Sequence, residues 1–232
     1  MLTIIVTGGD GRFAQELKKV KSKYNFIFRN KKQLDILSTR SIQSNFKKYK
    51  PNIILHLAGL SRPMSIHQKM IGKSIDLNII GTANLVKICS KNKVKIIHLS
   101  TSYVYPGKKG DYREEDYLLP WNNYGWSKLG AESAVQMYKN SLIVRACMTE
   151  KPFTHKFAFS NVKSNFIFHE QFAELLIKTI PFRGIINIGG KSQTIFKFAK
   201  KSVKNIKSKK SKGELPLKMD MNLNKLKKLL KK

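Results

Sequence analysis

The stretch LTIIVTGGDGRFAQEL, Leu2 to Leu17, passes from an apolar run through a knot of glycines into a segment of helical character. Leu2 to Thr7 reads as a buried strand, and Gly8, Gly11 and Ala14 follow at three-residue spacing just where a helix should start. Glycines let the backbone turn sharply and approach a pyrophosphate, whose charge then meets free N–H groups at the helix start. A small residue at position 14 permits close packing of helix on strand, and Arg12 and Phe13 lie in the same turn. Any tight turn can use glycine, but a strand before and a helix after are the context that a nucleotide-binding loop requires.

Outward from this turn, strand and helix alternate. Asn25 to Phe28, Asn52 to Leu57, Val94 to Leu99 and Ser141 to Val144 read as short buried strands. Helix-like segments lie near Arg12 to Lys23, Thr39 to Lys48, Ser74 to Lys91 and Asn122 to Lys139. The alternation predicts an α/β fold, a Rossmann-type doubly wound parallel sheet with helices on both faces. After Arg145 the rhythm weakens through TEKPFTHKFAFSNVKSNF, then resumes as a helix near His169 to Thr179, a strand at Gly184 to Ile188 and a helix from Thr194. The expected organisation is a dinucleotide-binding domain over residues 1–145 and a small, shortened C-terminal lobe with a basic tail over 146–232.

At 232 residues and 41% hydrophobic, the chain suits one large domain or one domain with an appendage. No apolar run approaches the roughly 18 residues of a membrane span, and LTIIV lacks the basic flank of a signal peptide, so a cytoplasmic protein without membrane contact is expected. Cys89 and Cys147 give no metal-ligand spacing, and a reducing compartment follows. The five histidines form no HxxxH pair, and His56 and His98, inside apolar runs, read as core residues. The formal charge is +31, yet only 7 of the 45 basic residues are arginine, the type that phosphate forks and base readout favour. A lysine-rich surface is therefore the reading, with nucleic acid as the less favoured partner. The tail from Lys197 holds 14 lysines against Glu214 and Asp220 alone.

NNYGWSK, Asn122 to Lys128, sets a tyrosine four residues before a lysine on one helical face. Tyr105 and Lys109 share the spacing, but Pro106 and Gly107 between them read as a turn. A phenol has a pKa near 10, and an ammonium one helical turn away is expected to stabilise phenolate and lower that value, fitting Tyr124 for general acid or base work. In IIHLSTSYVYPG a buried strand delivers Ser100, Thr101 and Ser102 at its carboxyl end, the edge where open parallel sheets bind ligands. A hydroxyl there would hydrogen-bond and position a reacting carbonyl oxygen. About twenty residues past the glycines, where a carboxylate would suit NAD, the second strand ends in Arg29, followed by Asn30, Lys31 and Lys32. A cation suits the 2′-phosphate of NADP, so NADPH is the preferred cofactor and NAD the alternative.

With TGGDGRFA, HLAG, LNIIGT, STSYVYPG and YGWSK in this order, the first 150 or so residues resemble the extended short-chain dehydrogenase/reductase family. The resemblance implies that Tyr124 and Lys128 are catalytic, with Lys128 also holding the nicotinamide ribose, and that Thr101, less so Ser102, is the carbonyl-binding hydroxyl. It further implies that Asp35 and Ile36 in KQLDI contact the adenine, that Ala58 and Gly59 line the cofactor groove, and that Asn78 lies near the active site. On their own, Asp35 reads equally as a helix cap, and Ala58 and Gly59 as a strand end. Family members that dehydrate nucleotide sugars carry Asp-Glu after the threonine, whereas Ser102 and Tyr103 stand here. Hydride transfer at a sugar carbon remains. STSYVYPG is most similar to the dTDP-4-dehydrorhamnose reductases, which implies net reduction of a 4-keto nucleotide-diphosphate sugar, with 4-epimerisation as the alternative. The later MDMNLNKLKKL is also similar to that group's closing segment, with Pro216 in place of its proline but no arginine partner. Only about two dozen residues separate Arg145 from the helix near His169, fewer than the resemblance implies, which leaves room for a non-catalytic NADP- or RNA-binding protein on the same fold. The resemblance also implies a possible homodimer through the tyrosine helix, where Ala131, Ala134 and Val135 suit either a partner or the chain's own core.

Overall fold

Thr3–Thr7 (β1) is apolar along its length, and in the computed structural model, which describes residues 1–231, it runs buried through the middle of a six-stranded sheet. Asn25–Arg29 (β2) pairs with one side of β1; Ile53–His56 (β3) pairs with the other, followed by Lys95–Thr101 (β4), Ser141–Ala146 (β5) and Gly184–Ile188 (β6). Every pairing is parallel, with Ile5 opposite Ile54, Ile54 opposite Ile96 and Ile97 opposite Leu142. The strand order reverses between β1 and β3, which opens a crevice at their carboxyl ends.

Alternate strand residues face opposite sides. Ile4, Val6, Leu55, Ile97 and Val144 pack with Arg12–Lys18 (α1) and His169–Thr179 (α5). Ile5, Ile54, Ile96 and Ile143 pack with Thr39–Tyr49 (α2), Gly81–Lys91 (α3) and Asn123–Gln136 (α4). Because both faces are covered, the strands read as unbroken apolar runs, and each fully buried aliphatic contributes about 1.5–3 kcal/mol. Ala131 and Val135 on α4 are fully buried within the chain, whereas Ala134 is partly exposed. Among the described residues, no helix is long and apolar enough to cross a membrane.

Several boundaries differ from the sequence reading. The first helix ends at Lys18 rather than Lys23, because the Val20 N–H turns back to the Leu17 carbonyl on the way to β2. The segment expected as one helix from Ser74 to Lys91 opens into a π-helical stretch, Ile75–Ile80, before α3. Strand β4 continues past Leu99 to Thr101, carried by the pairing of Ser100 with Arg145 and Thr101 with Ala146. The helix after Thr194 is only Ile195–Ala199.

Beyond residue 146 the chain contributes α5 and β6 to the layers just described. The remaining segments gather Phe153, Val162, Phe168, Ile195, Phe198 and Met219 into a separate apolar cluster. The last part of the chain folds back on the loop after β4. The Lys218 N–H donates to the Gly107 carbonyl (3.0 Å), Tyr112 and Asn222 exchange backbone contacts through Asp220 and Tyr112 carbonyls (3.1 and 2.8 Å), and the Asn222 amide reaches Asp111 (3.0 Å).

Candidate active site

Thr7 ends β1, and the chain turns at Gly8 with φ +70°. A Cβ at this glycine would lie 2.8 Å from the Cα and N of Ala58, so the turn is pressed against the loop after β3. The Ala58 N–H donates to Thr7 Oγ1 (3.1 Å), which also shares a hydrogen bond with His56 Nδ1 (2.8 Å). Gly11 precedes α1 without a side-chain cap, and the N–H groups of Arg12, Phe13 and Ala14 meet no protein acceptor among the described residues. A bare backbone with free donors, too close to a neighbouring loop for any side chain at Gly8, fits the diphosphate of a dinucleotide. The Phe13 side chain itself belongs to the core, edge-on to Phe172 (5.2 Å) and His169 (5.6 Å).

Asn122 fixes the start of α4 by accepting from the Gly125 N–H (2.8 Å). Tyr124 then falls in the first turn, with its ring against His67 (5.1 Å between centroids) and edge-on to Tyr103 (5.9 Å). The Thr101 hydroxyl at the end of β4 lies beside the Tyr124 phenol and accepts from the Tyr103 N–H (3.3 Å). Lys128 follows one turn later, 6% exposed. Asn78, turned inward by the π-helical stretch, accepts from the Leu60 N–H (2.7 Å) and donates to Ser127 (2.8 Å), whose hydroxyl donates to the Tyr124 carbonyl (2.8 Å). One buried amide thus links the loop bearing Ala58 and Gly59 to the helix bearing the tyrosine.

The electrostatics depart from expectation. Burial pushes the Tyr124 phenol above its ordinary value, and the Thr101 hydroxyl, then the Arg62 guanidinium, pull the other way without reversing it. The expected depression of this phenol by Lys128 is not found. Burial brings Lys128 itself down to about 8, against the attraction of Glu132 one turn further on. The Lys128 charge also acts on His56 and His98, which burial holds neutral, His56 at about 3. Glu132 in turn is fully buried, ion-paired with Arg145 (2.9 Å) and accepting from Ser100. Arg145 donates to the Tyr105 hydroxyl (2.8 Å), which donates to Asn187 (2.9 Å), and Lys109 pairs with Asp116 (2.8 Å). Tyr105 and Lys109 therefore take no part in the site.

Toward the adenine end the residues are more committed to the protein. The Arg29 guanidinium stacks on the Tyr49 ring (4.5 Å), donates to Asn45 (3.2 Å) through Nε and to the Tyr49 hydroxyl through Nη2, and leaves Nη1 without a partner among the described residues. Asp35 accepts from the Leu37 N–H (3.0 Å), capping a turn, while Ser38 caps α2. Ile36 is 4% exposed, within the core.

Sequence reasoning passed over Arg62 and Glu150. Arg62, in the loop after β3, and Arg12 each lie 2.9 Å from the Glu150 carboxylate just beyond β5. Burial raises the Glu150 pKa, but its own amide and the two guanidiniums outweigh this and hold it below the ordinary range. The available signal was scarcity, with 7 arginines and 14 acidic residues in a lysine-rich chain.

A protein-family model described as RmlD substrate binding domain matches residues 2–153. The spore coat polysaccharide biosynthesis protein SpsK of Bacillus subtilis is 34% identical over 151 residues, covering 62% of this chain and 52% of its own. A dTDP-4-dehydrorhamnose reductase of Aggregatibacter actinomycetemcomitans is 28% identical over 156 residues, 64% and 52% of the two chains. Methionine adenosyltransferase 2 subunit beta of Pongo abelii is 29% identical over 141 residues, 57% and 42%. The chain spans about half the length of the curated relatives it matches. Among solved structures, a dTDP-4-dehydrorhamnose reductase of Bacillus anthracis in complex with NADP superposes with a TM-score of 0.88 at 22% identity, covering 98% of this chain and 91% of that one, a likeness of fold.

Proposed function

The chain belongs to the RmlD substrate binding domain family, and from that membership we propose that it is an NADPH-dependent oxidoreductase that reduces the 4-keto group of a nucleotide-diphosphate sugar. The observation that carries the reading is the convergence of Thr101, Tyr124 and Lys128 at the carboxyl edge of the sheet, with Asn78 tying their helix to the loop packed on the glycine turn.

When bound, the reduced nicotinamide supplies a hydride. Thr101 holds the carbonyl oxygen by a hydrogen bond, and Tyr124 gives that oxygen its phenolic proton as the alcohol forms. The raised phenol pKa keeps Tyr124 protonated in the ligand-free protein, the state a proton donor needs. Lys128, near 8 and one helical turn away, is the cation that holds the ribose and steadies the phenolate. Gly8, Gly11 and the free N–H groups of Arg12 and Phe13 hold the diphosphate, Ala58 and Gly59 line the groove, Asp35 and Ile36 lie toward the adenine, and Arg29 offers Nη1 to a 2′-phosphate.

The test is turnover. The purified chain, given NADPH and a dTDP-4-keto-6-deoxy sugar, should consume both in equal amounts, as followed at 340 nm; Arg29→Gln should narrow the preference for NADPH over NADH. Bound NAD retained through purification, with no net consumption, would favour the 4-epimerase instead. A second reading, a non-catalytic binding subunit, is favoured by the similarity to the methionine adenosyltransferase 2 beta subunit. Tight dinucleotide binding with no turnover on any 4-keto sugar would support it.

A further inference from the structure

The strongest feature outside the tyrosine centre is the carboxylate of Glu150, set between two guanidiniums from different loops. Glu150 Oε1 lies 2.9 Å from Arg12 Nη1 and Oε2 lies 2.9 Å from Arg62 Nη1, with the Thr149 hydroxyl on Oε2 at 3.3 Å. The side chain is 16% exposed, against 58% for Arg12. Arg12 directly follows the glycine turn, and Arg62 follows the loop that packs against it, so the acid spans the crevice at the point where the strand order reverses. A cavity of about 280 Å³ opens beside it, walled by Arg12, Glu150, Lys151 and His169, with the carboxylates of Glu16 and Glu170 also in its lining. Two arginine forks facing one point are built for an anion with several oxygens, and phosphate is the group they match best. In a chain with 14 acidic residues against 45 basic ones, the Glu150 carboxylate offsets one of the two guanidinium charges and leaves the trio net positive.

Resting on the oxidoreductase reading, we propose that Glu150 is an internal stand-in for a ligand diphosphate: it holds Arg12 and Arg62 in the ligand-free protein and yields them when the diphosphate enters. The diphosphate comes from the dinucleotide or from the nucleotide sugar, which present the same chemistry. Either must displace a like charge, so Glu150 lowers affinity and keeps both arginines ordered until the ligand arrives.

Glu150→Gln keeps the shape and removes the charge. Isothermal titration of the full chain with inorganic pyrophosphate, NADPH and dTDP-glucose separates the sources. The glutamine variant, and Glu150→Ala as a second, should bind pyrophosphate at least about fivefold more tightly than the parent, and Arg62→Met should weaken it. A matching gain for NADPH alone assigns the dinucleotide; a gain for dTDP-glucose alone assigns the sugar nucleotide. Pyrophosphate affinity that is unchanged or lower in both Glu150 variants, or unaffected by Arg62→Met, overturns the proposal. Should the parent bind neither NADPH nor dTDP-glucose, the oxidoreductase reading falls, while the pyrophosphate comparison still decides what Glu150 does.

Discussion

Replacing Lys128 by methionine should make the protein more stable and inactive at once. The ammonium sits 6% exposed on the inner face of α4, and burial brings its pKa from 10.5 to about 8. The gap of about 2.5 units, at about 1.4 kcal/mol per unit, corresponds to a penalty of about 3.5 kcal/mol for keeping this group charged in the folded state. Between pH 8 and 10.5 the unfolded chain holds the proton that the folded chain has released. Unfolding therefore takes up a proton in that window, and stability rises with pH through it; below about 8 the penalty is present in full. Methionine has nearly the same volume and no charge, so urea unfolding followed by far-UV circular dichroism at pH 7 should show a gain of about 3.5 kcal/mol, or a rise in Tm of roughly 7–14 °C for a chain of this size. The advantage should shrink as the pH climbs toward 9.5, because the parent recovers its own penalty. Lys95, likewise brought down to about 8 by burial, adds to the rise with pH, whereas the Cys89 and Cys147 thiols, raised by burial, oppose it, so the difference between variant and parent is the quantity to follow. A variant less stable than the parent at pH 7, or an advantage constant with pH, would show that burial is not what governs this lysine.

Tyr124→Phe should lower the rate of NADPH oxidation by on the order of a hundredfold or more with dinucleotide affinity retained; turnover within a few-fold of the parent removes the tyrosine from the chemistry. Glu132→Gln leaves the Arg145 charge buried beside a neutral amide and should cost about 3–5 kcal/mol in urea unfolding, against under 1 for an exposed pair such as Lys19 with Glu16. Gly8→Ala forces a side chain onto a backbone at φ +70° and 2.8 Å from Ala58; a loss of at least about 1 kcal/mol in calorimetry, together with weakened NADPH binding, is expected.

The sheet was legible because its strands are covered on both faces: five apolar runs and the Gly184–Ile188 segment could be placed from composition alone. The tyrosine, lysine and threonine were legible because fixed spacing on a helix and a strand end carries them to one edge. What could not be read is what depends on contacts distant in sequence. Arg62 and Glu150 meet across 88 residues, and no local pattern announces the pairing. The sign of the phenol shift was misjudged for a similar reason, since a one-turn spacing says how near Lys128 is but nothing of how deeply both groups are buried or that Glu132 and the two core histidines share its charge. The π-helical stretch escaped because Ile75–Ile80 has ordinary helical periodicity, and only the bonds of Asn78 to Leu60 and Ser127 show why the extra residue is accommodated.

The contacts that fasten residues 218–222 onto the loop after β4 also set a timetable for biosynthesis. Asp111 and its partner Asn222 are separated by 111 residues, and at about 5–20 residues per second the ribosome releases the second some 6–20 seconds after the first. During that interval the Gly107 carbonyl waits for the Lys218 N–H, and the first five strands can already have paired. The sheet edge carrying Thr101 and Tyr124 can thus form before the distal segment that covers the loop beside it has emerged.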